Sequence, residues 1–273
     1  MSVHSSRSTT PIVLTIAGSD SGGGAGIQAD IKSISATGGY ACSVIIAITA
    51  QNTCGVSAIF PIPLEHVEKQ LDAVFSDLKI VAVKIGMLAD AEIIALVAKK
   101  LRQYKPQFVV LDPVMVATSG DLLLESAAIG TLKTELLPLA DIVTPNLPEG
   151  AALTGSSIPK DQAEMTILVK QLMSLGAKSM LLKGGHLDQD AQSNDLLIID
   201  DELQVFTTQR VATNNTHGTG CTLSSAIASY LAQGYSLAEA VGQAKQYISE
   251  AIAHADKLDI GAGHGPVHHF YAI

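Results

Sequence analysis

The stretch Ile12-Val13-Leu14-Thr15-Ile16-Ala17-Gly18-Ser19-Asp20-Ser21-Gly22-Gly23-Gly24-Ala25-Gly26-Ile27-Gln28-Ala29-Asp30 sets a short apolar run against a glycine-rich turn and then a helical pattern. It reads as a strand, a loop and a helix. Five of the nine residues from Gly18 to Gly26 are glycine, which lets the backbone come close to a neighbour or a ligand.

The same rhythm recurs downstream. Residues 43–49 read as the next strand, and Leu64, Val67, Leu71, Val74, Phe75 and Leu78 share one face of a following helix. Strand 81–85 precedes a helix with Ile93, Ile94, Val97 and Leu101 on one face and Lys99, Lys100 and Arg102 on the other, and strand 108–111 comes next. Residues 142–144 and 180–182 read as two more buried strands, with a helix near 162–175 between them. Residues 196–199 and 205–207, split by Asp200 and Asp201, predict an edge hairpin, and helices 220–232 and 237–255 close the chain. Such alternation implies right-handed crossovers and a parallel sheet covered by helices.

Composition agrees. The 273 residues are 47% hydrophobic, 4% aromatic and without Trp, so Val, Ile, Leu and Ala must build the core. The 17 basic and 26 acidic side chains leave a formal charge of -9, which argues against nucleic acid as a partner. The longest strongly apolar stretch, 43–50, is far short of the ~20 residues that span a bilayer, so no membrane partner is expected. Cys42, Cys54 and Cys221 are odd in number and lack C-x-x-C spacing, which fits a reducing, cytoplasmic setting. Residues 1–10, rich in Ser and Thr, read as a disordered tail, and residues 11–273 as a single domain.

In open α/β sheets, ligands bind beyond the carboxyl ends of the strands, so the residues that follow each strand matter most. The glycine run after the first strand fits a dinucleotide fingerprint poorly. That motif wants an acidic residue ~20 positions later, and no Asp or Glu occurs between Ile31 and Leu64. A Walker A loop is absent as well.

Asp112 and, farther on, Asn146 and Glu149 follow two other strands. They supply the oxygen ligands that Mg²⁺ takes, partly through water and together with nucleotide phosphates. Equally, Asn146 and Glu149 could only cap a helix starting near Pro148. Lys183 ends a strand before Gly184-Gly185-His186 and can reach a phosphate as a point charge.

The segment Asn214-Asn215-Thr216-His217-Gly218-Thr219-Gly220-Cys221-Thr222 runs directly into a helical pattern, and amides at a helix start form a ready anion site. Cys221 falls in that first turn, where the macrodipole is expected to lower its pKa from ~8.5 and let it accept a proton from an alcohol. The alternative is a small packing residue, the role expected of Cys42 and Cys54. His268 and His269 have no partner legible in the sequence.

Several of these motifs, in order over residues 11–271, resemble the hydroxymethylpyrimidine/phosphomethylpyrimidine kinases of thiamine biosynthesis, in the ribokinase-like superfamily. They are Ala17-Gly18-Ser19-Asp20 with Gly26-Ile27-Gln28-Ala29-Asp30, Ala50-Gln51-Asn52-Thr53, Lys84-Ile85-Gly86-Met87-Leu88, Asp112-Pro113-Val114-Met115, Thr144-Pro145-Asn146-Leu147-Pro148-Glu149, Leu182-Lys183-Gly184-Gly185-His186 and Asn215 to Thr222.

The resemblance implies a three-layer α/β/α sandwich with a mostly parallel central sheet, and a homodimer. It implies an ATP- and Mg²⁺-dependent enzyme that phosphorylates 4-amino-5-hydroxymethyl-2-methylpyrimidine and then its monophosphate. On that basis Asp30 and Gln51 partner the aminopyrimidine edge, and Ala25, Met87, Val114 and His217 line the ring pocket. Lys183, Thr216, Gly218, Thr219 and Gly220 hold the nucleotide, with Lys183, Gly218, Gly220 and Cys221 as the catalytic set. Where many of the superfamily carry Asp in a Gly-Ala-Gly-Asp turn, this sequence has Cys221. The rivals are a pyridoxal or pyridoxine kinase of the same fold, a Rossmann oxidoreductase and a non-catalytic ligand sensor.

Overall fold

Neighbouring residues along each central strand bury into opposite helix layers, as the two-residue period of a strand requires. The computed structural model describes residues 10–115, 128–185, 187 and 192–272. Residues 1–9 of the expected tail 1–10, and His186, lie outside them.

The chain runs β1 (Ile12–Ala17), α1 (Gly26–Ala36), β2 (Tyr40–Ile45), β3 (Ala47–Asn52), β4 (Gly55–Pro61) and α2 (Leu64–Asp77). It continues through β5 (Ala82–Ile85), α3 (Ala91–Tyr104), β6 (Phe108–Leu111), α4 (Ala128–Thr131), β7 (Ile142–Val143), α5 (Leu147–Thr154) and α6 (Gln162–Met173). The remaining elements are β8 (Ser179–Leu182), β9 (Gln192–Ile199), β10 (Glu202–Gln209), α7 (Thr219–Ala232) and α8 (Leu237–Ala253).

Eight strands form one sheet in the order β10-β9-β8-β7-β6-β5-β1-β2. Strands β2, β1, β5, β6, β7 and β8 pair in parallel, and the β9–β10 hairpin is added antiparallel to β8 at one edge. Leu14, Val83, Leu111, Val143 and Leu182 pack under α2 to α6. Val13, Ala82, Val110, Ile142 and Leu181 pack under α1, α7 and α8. The α/β/α sandwich expected from the sequence is therefore present.

Chain winding reverses at β1, which has β2 on one side and β5 on the other. That reversal places α1 on the opposite face from α2 and opens a crevice at the carboxyl ends of β1 and β5.

The expected strand 43–49 is corrected. The chain breaks at Ile46, and β3 leaves the main sheet to pair only with β4. The Asn52 side chain accepts from the amides of Cys54 (2.8 Å) and Gly55 (3.2 Å), and Gly55 takes φ 156°, so the chain doubles back. No helix among the described residues is long and apolar enough to cross a membrane.

Candidate active site

A cleft of about 1050 Å³ opens across the carboxyl ends of β1, β5, β6, β7 and β8. Its wall is built around Asp20, which is only 2% exposed and accepts four hydrogen bonds. Oδ1 takes the Gly22 amide (2.8 Å), while Oδ2 takes the amides of Gly24 (3.0 Å) and Ala25 (2.8 Å) and Nε2 of His217 (2.8 Å). Burial works against its charge, but His217 and the loop amides win and hold the carboxyl below the usual range. One carboxylate thus fixes the glycine loop and ties it to the turn before α7. Gly218 there has φ 81°, and an added Cβ would collide with the Gly24 carbonyl oxygen, so this close approach requires glycine.

α7 starts at Thr219 with no side-chain cap. The Thr219 amide bonds the Thr216 carbonyl at 3.3 Å and the Thr222 amide that of Gly218 at 2.9 Å. Among the described residues, no protein acceptor takes the amides of Gly220 and Cys221, both of which line the cleft. Two free donors at the positive end of a helix make an anion site.

Beside them lies a charged cluster. Lys183 Nζ is 2.7 Å from Asp112 Oδ1, which also accepts from Thr144 Oγ1 at 3.0 Å. Burial opposes both charges, yet each favours the other: Asp112 is held low, chiefly by Lys183 and then Lys84, and Lys183 is held high by Asp112 and Glu149. Burial, with the charge of Asp112, raises Glu149 to about 7.

The capping alternative for Asn146 and Glu149 is present: the Asn146 side chain accepts the Glu149 amide (2.8 Å) while Glu149 Oε2 accepts the Asn146 amide (2.8 Å), a capping box for α5. Each cap bond uses one acceptor site of its oxygen. Among the described residues no three His, Cys, Asp or Glu side chains converge on a metal position. Two carboxylates on the cleft, Asp112 and Glu149, suit a hard cation that keeps most of its water and shares phosphate oxygens.

Gln51, Met87, Val114, Ala25 and His217 line the same cleft. Thr49 Oγ1 orients the Gln51 amide, 3.1 Å from Oε1. Asp30 does not join them. It is 0% exposed, with Oδ1 taking Lys84 Nζ (2.8 Å) and Ser225 Oγ (2.7 Å) and Oδ2 taking Thr15 Oγ1 (2.6 Å). Three donors from the protein interior take its oxygens, and at 0% exposure it lies behind the cleft wall, out of reach of a substrate amine in this structure.

Cys221 faces the cleft and is partly exposed. The expected lowering of its pKa is reversed: burial pushes the thiol up to about 11 despite Lys84 and the Gly26 amide, with Asp30 and Asp112 adding to the rise. Desolvation outweighs the helix start here. Reading the sequence also missed Asp20 and Lys84 as site-building residues. A lysine inside the apolar run Ala82-Val83-Lys84-Ile85 was the available signal, because a buried ammonium must find a partner.

The family model for phosphomethylpyrimidine kinase matches residues 20–268. A hydroxymethylpyrimidine/phosphomethylpyrimidine kinase of Rhizobium meliloti is 55% identical over 96% of this chain and 98% of its own. A thiamine biosynthesis bifunctional protein of Geobacter sulfurreducens is 52% identical over 95% of this chain and 52% of its own length. The solved pyridoxal kinase of Staphylococcus aureus, in complex with AMP-PCP and pyridoxal, superposes with a TM-score of 0.88 at 33% identity, covering 97% of this chain and 95% of that one. The motifs spread along the sequence, the sandwich that gathers their residues at one crevice and a family match across most of the chain agree: this chain belongs to the phosphomethylpyrimidine kinase family.

Proposed function

We propose that this cleft transfers the γ-phosphoryl group of ATP to the hydroxymethyl oxygen of 4-amino-5-hydroxymethyl-2-methylpyrimidine, and then phosphorylates the monophosphate to the diphosphate, in thiamine biosynthesis. The observation that carries the reading is the pair of unpartnered Gly220 and Cys221 amides, set between the Lys183–Asp112 pair and the pocket of Gln51, Met87, Val114 and His217.

The ring lies against Met87, Val114, Ala25 and His217, with Gln51 bonding its amino edge. ATP lies across the other half, its phosphates held by Thr216, Gly218, Thr219, Gly220 and Lys183. Mg²⁺ held through water by Asp112 and Glu149 would neutralise phosphate charge when bound. The hydroxymethyl oxygen forms the new bond to the γ-phosphorus as the bond to the β,γ-bridging oxygen breaks, and ADP leaves with that electron pair. The Gly220 and Cys221 amides take up charge on the equatorial oxygens.

Cys221 first loses its own proton to solvent and then, as thiolate, takes the proton of the alcohol. With a thiol at about 11, ionising it at pH 7 costs about 5 kcal/mol. Proton transfer is late because the attacking oxygen becomes acidic only as its bond to phosphorus forms.

The unbroken sheet with a core layer on each face supports residues 11–273 as a single domain. Ile48 and Phe60 pair across the β3–β4 hairpin at 49% and 64% exposure, which supports a homodimer, and three free cysteines suit the cytoplasm. Mass spectrometry after incubation with Mg²⁺-ATP and the free pyrimidine tests the function. Monophosphate followed by diphosphate is expected, and no ADP or phosphorylated pyrimidine would refute it. The likeness to the Staphylococcus aureus enzyme favours one second reading, a pyridoxal kinase. Competition between the two alcohols in one assay separates the two readings.

A further inference from the structure

The stretch Gly261-Ala262-Gly263-His264-Gly265-Pro266-Val267 follows α8 and carries glycine at every second position from 261 to 265. Such a pattern lets the backbone pass close to its neighbours. Here it runs between the two halves of the cleft.

On one side lies the tip of the β3–β4 hairpin. The Gly263 amide donates to Thr53 Oγ1 (3.2 Å) and the His264 amide to the Thr53 carbonyl (3.0 Å). A Cβ on Gly263 would collide with that carbonyl, and one on Gly261, at φ 75°, with the Thr53 side chain. On the other side lies the turn before α7. His264 Nδ1 donates to the Asn214 carbonyl (3.2 Å), the Gly265 amide to Asn215 Oδ1 (3.1 Å), and the His217 amide to the Gly265 carbonyl (3.0 Å). Asn215 is held in turn by Asp256, 2.8 Å away beyond α8.

The two ends of this strap differ in burial. Gly265, Pro266 and Val267 are buried, whereas residues 261–264 are exposed. The strap is therefore fixed to the turn and laid over the hairpin by bonds that water can replace, so its hairpin end can open locally. The hairpin stands outside the main sheet, and its hold on the glycine loop runs through Ser19 and Ser21, bonded to Thr49 and Gln51. His264 is where the sides meet: its amide holds Thr53, two residues from Gln51, and its ring holds Asn214, two residues from Thr216.

We propose that His264 is a positioning residue, its strap clasping the hairpin that carries Gln51 to the phosphate turn, so that nucleotide seated on the turn orders the hairpin and tightens binding of the pyrimidine. The inference rests on the kinase reading of the same cleft. Nucleotide that stills the turn stills the anchored end of the strap and keeps it closed on Thr53. The hairpin then gives up less freedom when the pyrimidine arrives. The coupling is reciprocal, and two exposed hydrogen bonds to Thr53 set its scale at about tenfold.

Hydrogen exchange read by mass spectrometry on the whole chain, with Mg²⁺-AMP-PCP and no pyrimidine, tests this. In the parent, peptides covering the Gln51–Gly55 tip and the turn 214–222 should both exchange about tenfold more slowly with the analogue than without it. His264→Ala removes the ring's bond to Asn214 at an exposed position; the slowing at the tip should shrink to within about twofold of none, while the turn stays protected. His264→Asn, whose side-chain amide can stand in for Nδ1, should restore it. Gly263→Ala, which drives the strap off Thr53, should abolish it as well. By calorimetry, AMP-PCP should tighten the pyrimidine about tenfold in the parent and less than about twofold in His264→Ala. A side chain that only stabilised the fold would change Tm and leave this response in place. A protected turn beside an unresponsive tip in the parent, or a response that survives both His264→Ala and Gly263→Ala, would overturn the proposal alone. A turn that the analogue leaves unprotected would strike the kinase reading, and the proposal with it, so the two failures appear on different peptides.

Discussion

Asp20→Asn tests whether one carboxylate holds the cleft wall together. Asp20 Oδ2 accepts from Gly24, Ala25 and His217, and Oδ1 from Gly22, at 2.8 to 3.0 Å. An amide cannot serve both sets. Its oxygen can take over the three donors at Oδ2, each weaker by about 1 kcal/mol for lack of charge, while its NH₂ group then faces the Gly22 amide at a further cost of about 1 kcal/mol.

The loss totals about 4 kcal/mol. Unfolding entropy for 273 residues is about 0.6 kcal/mol per kelvin, so Tm should fall by about 7 °C in a calorimetric scan. Because the freed loop carries Ala25 and releases His217, KM for the pyrimidine should rise about tenfold, well beyond any change in KM for ATP. A variant with Tm within about 1 °C of the parent and an unchanged pyrimidine KM would refute the reasoning.

Gly218→Ala should lower kcat at least about 100-fold, measured by coupled ADP release, since the new Cβ meets the Gly24 carbonyl and displaces the anion-binding turn. His269, buried against Thr222 Oγ1 at 2.9 Å, is pushed down to about 4 by burial. Its folded value lies below the ~6.5 of an unfolded chain, so the unfolded state takes up the proton first. Stability from this group is complete above pH ~6.5 and falls by about 3 kcal/mol on acidification to pH ~4. Glu149, raised to about 7, works in the opposite sense over the same range, so the test is the difference in urea midpoint between the parent and His269→Gln, which should change with pH between about 6.5 and 4; a difference independent of pH would refute the assignment.

The strand and helix rhythm and the turn before α7 were legible because each is a local pattern: β-branched runs, glycine turns and apolar residues at helical spacing. The β3–β4 hairpin was missed because 43–49 reads as one continuous run, whereas the break at Ile46 is set by tertiary contacts. Its local sign, the turn from Asn52 to Gly55, was present. Asp30 and Lys84 show a deeper limit. They lie 54 positions apart, and nothing local reveals that they neutralise each other in the interior rather than meet a ligand. Cys221 was placed correctly at the helix start, but the sign of its pKa shift depends on burial, which the first turn of a helix does not encode. Asn146 and Glu149 suited both an ion site and a cap, and only the paired 2.8 Å bonds identify the capping box.

The central claim is that one crevice brings a nucleoside triphosphate and a flat heteroaromatic alcohol to either side of Cys221. A crystal structure with Mg²⁺, a non-hydrolysable ATP analogue and the hydroxymethylpyrimidine measures this directly. The hydroxymethyl oxygen should lie in line with the γ-phosphorus, within hydrogen-bonding reach of the Cys221 sulfur, and the γ-phosphate oxygens should accept from the Gly220 and Cys221 amides. A pyrimidine bound elsewhere, or phosphates that leave those two amides untouched, would contradict it.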